Sequence, residues 1–142
     1  MLAKRKPTIR VSAPEARTYN GRLYASKAER DYAEHLDIVQ YAGLIEHWEP
    51  QVVMPLIVNG KRVCNYIVDF KVRDKLGSER YVEIKGYDQP DAKLKRDFFV
   101  ACYPDVRLDV LFRVGNQFLP ELEYRQARRE QRKLIRVRRK AK

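Results

Sequence analysis

Three side chains in this sequence offer hydrolytic chemistry if the fold brings them together: Asp69, Glu83 and Lys85. Whether they meet is a question of strand register. Residues 61–72 and 79–85 alternate apolar and polar side chains, and Asp74-Lys75-Leu76-Gly77-Ser78 between them reads as a turn. Pairing Arg73 with Glu79 around that loop sets Asp69 directly opposite Glu83, Val68 opposite Ile84 and Phe70 opposite Val82. A slip of one residue would put apolar against polar along the whole pair. A slip of two leaves Asp69 and Glu83 diagonal but still neighbours. Lys85 follows Glu83 on the same face, one pleat along.

Two facing carboxylates destabilise a strand pair unless something cationic joins them. A divalent metal is the natural partner. The two carboxylates, the backbone carbonyl of Ile84 and water would make a hard oxygen site suited to Mg²⁺, with Mn²⁺ as a substitute. Such an ion acidifies water and neutralises phosphate charge. Lys85 beside it could orient or deprotonate the water, or stabilise developing negative charge. The plainer reading is an ion pair in which Lys85 neutralises Glu83 and Asp69, and many unrelated chains share the bare Asp…Glu-x-Lys spacing.

The elements that must position these residues are legible in outline. Ser26-Lys27-Ala28-Glu29 is a capping box, and Ala28, Tyr32, Leu36 and Val39 recur at helical spacing until Gly43, which predicts a helix over 26–42. Residues 44–58 form a first strand interrupted by Pro55, and Asn59-Gly60 turns it into the strand at 61–72. After the third strand at 79–85, Gly86 breaks the run. A second helix starts at Asp88-Gln89-Pro90, with a stripe of Leu94, Phe98 and Cys102, and Pro104 ends it. Residues 107–114 read as a last, largely buried strand. Cys64 and Cys102 fall on apolar faces and read as core thiols. The order is α-β-β-β-α-β: a single α/β domain with a mixed central sheet.

Length and charge bound the function. The chain has 142 residues, enough for one domain, and is 44% hydrophobic, enough for a core. No apolar run could span a bilayer, no apolar stretch follows the basic N-terminus as in a signal peptide, and no Cys/His cluster has zinc spacing. A soluble, cytoplasmic protein without a membrane partner is expected. The formal charge is +11, and its distribution is uneven. Residues 1–25 carry a net +5 and residues 121–142 a net +7, while the middle carries −1. Two cationic arms on a neutral body point to phosphate contact. Lys4, Arg5, Lys6 and Arg10 belong to an arm over 1–22 that reads as extended. Lys93, Lys95 and Arg96 lie at the start of the second helix. Arg125, Arg128, Arg129, Arg132, Lys133 and Arg136 belong to a tail over 116–142, helical from Glu121. Its apolar residues make no clean stripe, so much of that helix is expected to order only on a partner.

Tyr66-Ile67-Val68-Asp69-Phe70 and Tyr81-Val82-Glu83-Ile84-Lys85-Gly86 resemble the motifs of the PD-(D/E)XK nuclease superfamily, whose restriction-endonuclease-like core has the same α-β-β-β-α-β order. Within it the chain is most similar to small phage-encoded endonucleases of the Holliday junction resolvase type. They share the start Tyr24-Ala25-Ser26-Lys27-Ala28-Glu29, the Trp-containing strand Glu46-His47-Trp48-Glu49 and the Asn-Gly hairpin. The likeness covers residues 19–114, with Val68 in place of the superfamily's proline. It implies a nuclease core over 23–115, with Asp69 and Glu83 as metal ligands, Ile84 lending its carbonyl and Lys85 as catalytic lysine. Glu29 matches the acidic residue that many members carry on the first helix, reaching the metal directly or through water, although its capping role alone accounts for it. The implied activity is Mg²⁺-dependent cleavage of branched DNA by a homodimer, since two symmetric cuts need two sites. The competing expectations are a sequence-specific or nicking endonuclease and a non-catalytic nucleic-acid-binding protein.

Overall fold

A computed structural model of the chain describes residues 11–86 and 90–141. Lys4, Arg5, Lys6 and Arg10 therefore lie outside the described residues. The segment before the first helix is not simply extended. Pro14–Arg17 forms a 3₁₀ turn, and Thr18–Tyr19 (β1) pairs with Arg22–Leu23 (β2) across Asn20-Gly21, both at positive φ. This small hairpin is tied down: the Tyr19 hydroxyl donates to Asp37 at 2.8 Å, and Arg17 donates to the carbonyl of Tyr24 at 2.8 Å. The Asn-Gly pair accounts for the difference, since both residues accept the backbone that a tight hairpin needs.

Helix α1 spans Lys27–Tyr41, and the Ser26 side chain accepts from the Glu29 N–H at 3.1 Å, as the capping box requires. Strands β3 (Ile45–Val58), β4 (Lys61–Asp74) and β5 (Glu79–Lys85) follow as an antiparallel meander. Helix α2 (Pro90–Cys102) then crosses over to β6 (Arg107–Val114), which runs parallel to β5. The last strand, β7 (Gln117–Pro120), turns back antiparallel on β6 and leads directly into helix α3 (Glu121–Lys140). The result is one α/β domain: a five-stranded mixed sheet in the order β3-β4-β5-β6-β7 with three helices. β7 is a departure from the expected tail, because residues 117–120 belong to the sheet. The helix after it is formed along its whole length in the chain alone.

Two apolar clusters hold the sheet. Tyr24, Tyr32, Leu36, Phe70, Val72, Val82 and Ile84 pack together under α1, and Leu56, Tyr66, Val68, Tyr81 and Phe99 pack under α2. Val68 and Phe70 share the parity of β4 yet belong to different clusters. The change falls at Asp69, where the β3–β4 ladder passes from Pro50↔Phe70 to Val52↔Val68 and the intervening Gln51 has φ 51°. A left-handed glutamine interrupts the regular pleat there. Val68 and Ile84 are thus on different sides, contrary to the simple register.

Three further expectations need correction. The α2 stripe is rotated: Phe99 is fully buried, while Leu94 and Phe98 are 57% and 47% exposed. Adjacent phenylalanines leave the helical period ambiguous by one residue. Cys64 is exposed, and Cys102 is half-buried with its thiol 3.4 Å from the Ile57 carbonyl. Next to it the Tyr103 hydroxyl donates to the carbonyl of Pro55 at 2.6 Å, so the end of α2 fastens onto β3, an outer strand. Finally, β6 is covered only in part, with Phe112 its one buried residue.

Asp37 on α1 collects three donors, the Tyr19 hydroxyl, the Asn20 amide at 3.1 Å and the Trp48 indole N–H at 3.0 Å. This joins the N-terminal hairpin, α1 and β3. Asp37→Ala leaves the indole and phenol without their acceptor and should lower stability by about 2 kcal/mol in urea titrations. An unchanged midpoint would mean that water replaces the carboxylate at no cost.

Candidate active site at the fork of two strands

The β4–β5 pairing observed is Phe70↔Val82, Lys71↔Tyr81, Val72↔Arg80 and Arg73↔Glu79. That is the register inferred from the turn, but the ladder stops at Phe70 and Val82. Immediately beyond it stand Asp69 and Glu83, so the acids lie where the strands part. The Asp69 carboxylate accepts the backbone N–H of Ile84 at 2.8 Å. A side chain thus takes over a ladder bond and pins the mouth of the fork.

Glu83 is 5% exposed and forms an ion pair with Lys85 through Oε1. Its other oxygen, Oε2, is buried with no hydrogen-bond partner among the described residues. An orphaned carboxylate oxygen in that setting is costly. Glu29 reaches the same region from the first turn of α1, where burial raises its pKa. The Ser26 hydroxyl and the Ala25 N–H oppose that rise, and the charges of Lys85 and Glu83 act on it in opposite directions. Both its oxygens are engaged, one by the Ser26 hydroxyl at 2.9 Å and the other by the Ala25 N–H at 3.3 Å. Glu29 is therefore both a cap and part of the field of the fork.

Asp69 feels that field most strongly. Its pKa is raised to about 7, first by burial and then by the charge of Glu29, against the pull of the Ile84 N–H and of Lys85. The arrangement holds more negative charge than Lys85 alone compensates. Two carboxylates, one with a free buried oxygen and one kept partly protonated, suit a hard divalent cation. Among the described residues no three His, Cys, Asp or Glu side chains converge as one ligand set. Asp69 and Glu83, with a backbone oxygen such as that of Ile84, are the groups at the fork that could hold a cation, while both oxygens of Glu29 already accept hydrogen bonds from its own cap.

The basic residues divide differently. Arg96 is 9% exposed on the sheet side of α2, one turn before Phe99, and is not a surface cation. Lys93 pairs with Asp97 at 2.7 Å, and Lys95 is exposed. Arg125 pairs with Glu121 at 2.5 Å, while Arg128, Arg129, Arg132, Lys133 and Arg136 stand exposed on α3. Sequence reasoning missed Gln51, which lies across from Asp69 and meets the Arg22 guanidinium at 3.5 Å. No residue type announces a left-handed glutamine.

A mixed sheet with α1 and α2 packed on it and acids at a strand fork defines a single-domain α/β protein. The chain belongs to the DUF1064 family, described as a protein of unknown function, whose model matches residues 13–117. That span includes Glu29, Asp69, Glu83 and Lys85 and leaves out α3. No curated protein and no solved structure matches the chain.

Between the ordinary carboxylate pKa of 3.8 and about 7, the folded chain keeps a proton on Asp69 that the unfolded chain has lost. Stability of the metal-free protein should therefore fall as pH rises through that window. Asp69→Asn, which keeps an acceptor for Ile84, should be more stable than wild type at alkaline pH by on the order of 2 kcal/mol. The difference should close as the pH approaches the unfolded value. Parallel pH–stability curves for the two proteins in EDTA would refute the assignment.

Proposed function

We propose that this protein is a Mg²⁺-dependent, structure-selective DNA endonuclease of the Holliday junction resolvase type, a member of the PD-(D/E)XK superfamily. The observation that carries the reading is the buried Glu83 oxygen at the fork, without a partner among the described residues, next to Asp69 and with Lys85 against the same glutamate. The +7 net charge over residues 121–142 supports a polyanionic substrate.

Asp69, Glu83 and the Ile84 carbonyl would hold the cation. When bound, a divalent ion supplies phosphate charge neutralisation and makes water more acidic. The protein's own part is the following. Asp69 is fixed by the Ile84 N–H, so its free oxygen has one direction to offer. Glu83 orients the Lys85 ammonium, which is placed to donate to a phosphate oxygen or to hold the attacking water. The negative charge of Glu29, which adds to burial in raising the proton affinity of Asp69, would also draw a cation to the fork. Mn²⁺ should substitute for Mg²⁺ because the donors are hard oxygens. A homodimer would bring two such forks to one junction.

A second reading rests on the Lys85–Glu83 pair itself: a structural ion pair in a non-catalytic nucleic-acid-binding protein. End-labelled four-way junction, Y fork, linear duplex and single strand, each incubated in Mg²⁺ and in EDTA, separate the two. Wild type should nick the junction in paired positions only with Mg²⁺. Glu83→Ala should lose cleavage by at least roughly 10³-fold yet bind as well as wild type or better, because a negative charge leaves the phosphate path. Lys85→Ala should lose cleavage by roughly 10²-fold or more. Cutting of linear duplex at one sequence would sink the junction claim and keep the site. Binding without cleavage in either condition would establish the second reading.

A further inference from the structure

Helix α3 has an unusual distribution of charge. At about 100° per residue, Arg125, Arg128, Arg129, Arg132, Lys133 and Arg136 fall within an arc of roughly 140°. Arg139 and Lys140 extend the same face through the last turn. Outside that arc lie Glu123, Glu130 and Gln131 with Tyr124, Ala127, Leu134, Ile135 and Val137, and Arg138 is the one cation there. Of the cationic face, only Arg125 is ion-paired among the described residues. Like charges three and four residues apart oppose the helix unless a polyanion relieves them.

The root of the helix is fixed and the remainder is not. The Tyr124 ring stacks on Phe112, with centroids 4.7 Å apart and planes within 16°. Phe112 is the ladder partner of Lys85 across the parallel β5–β6 pair. Beyond Ala127, half-buried, residues 128–141 are all exposed. A helix of this length reaches about 30 Å from a root one strand away from Lys85.

We propose that α3 docks in the major groove of B-form duplex DNA and positions the duplex against the fork. The groove admits an α-helix. The edges of the charged arc can reach the two flanking phosphate strands while its centre faces the bases. Arginine dominates the face, and its planar fork suits phosphate and guanine edges alike. A membrane surface fits less well, because the apolar residues Tyr124, Ala127, Leu134, Ile135 and Val137 are interrupted by Glu123, Glu130, Gln131 and Arg138 and make no continuous apolar face. The proposal rests on the DNA reading of the site for its substrate and not on the cleavage chemistry.

The test uses the full chain carrying Glu83→Ala, so binding is measured without cutting. Fluorescence anisotropy on a labelled duplex of roughly 24 base pairs, over about 50–200 mM salt, compares this protein with one also bearing Arg128→Gln, Arg132→Gln and Arg136→Gln. Gln keeps helix propensity, and circular dichroism verifies that the helix remains. The triple substitution should weaken duplex DNA binding at least about tenfold and lower the log–log salt slope by about 2–3. Arg138→Gln, on the other side, should change the slope by less than about 1. A-form RNA of the same sequence, whose major groove is too narrow for a helix, should bind more weakly and respond little to the triple change. An unchanged slope on DNA would overturn the proposal, as would equal losses on DNA and RNA. Loss of binding to phosphatidylserine vesicles with DNA binding intact would assign the face to a membrane. Failure of the wild-type protein to cleave would leave this result standing, and failure here would leave the cleavage assay interpretable.

Discussion

Everything at the fork depends on one hydrogen bond, from the Ile84 N–H to the Asp69 carboxylate. A strand that leaves its neighbour strands a row of backbone donors and acceptors, and burying them unpaired is expensive. Here a side chain satisfies the first donor past the last ladder pair, so β4 and β5 can part inside the protein rather than at its rim. The opening this creates is lined by whatever follows in each strand. In β5 that is Glu83 and Lys85, and in β4 it is the point where the β3–β4 ribbon changes clusters. Replacing Asp69 by an apolar residue would orphan the Ile84 donor and remove a carboxylate in one change. Structural and chemical roles are thus fused in a single side chain.

Helix α1 supplies the complementary constraint. Ser26 and Glu29 cap its start and Asp37 ties its second half to Trp48 and to the N-terminal hairpin. The carboxylate that finishes the cap is also the one that pushes Asp69 toward neutrality. Two residues distant in sequence therefore share one electrostatic field, and anything that shifts the first turn of α1 alters the proton affinity of Asp69. The Phe70 ring, packed against Tyr24, Tyr32 and Trp48, holds α1 at a fixed height over the strands. Packing thereby sets the electrostatics.

The sequence carries the register of β4 on β5 because Phe70, Val72 and Val82 obey one parity, and the Arg73–Glu79 pair closes the turn. It also carries the cap of α1 and the Asn59-Gly60 hairpin, since each is a local rule with a local signal. It does not say where the ladder stops. That depends on the left-handed Gln51, on a bond between residues fifteen apart and on which helix covers which half of β4, none of which has a periodic trace. The neighbouring Phe98 and Phe99 satisfy the helical period about equally well, and only the position of Tyr66 and Tyr81 selects Phe99. Arg96, read as a surface cation, follows Phe99 inward by the same rotation. β7 escapes because four residues ending in proline are too few to show alternation.

The way α2 ends on β3 has a consequence for how copies of this protein can meet. β3 is an outer strand of fourteen residues, long enough to recruit a foreign strand. Pro50 and Pro55 remove two of its donors, and Tyr103 and Cys102 occupy the carbonyls of Pro55 and Ile57. The opposite margin, β7, is four residues long and closes on Pro120. Neither margin is a good template, so the sheet resists growth into a continuous intermolecular one. Association through strand edges is thereby disfavoured, and contact between copies falls to the faces of the sheet and to the helices.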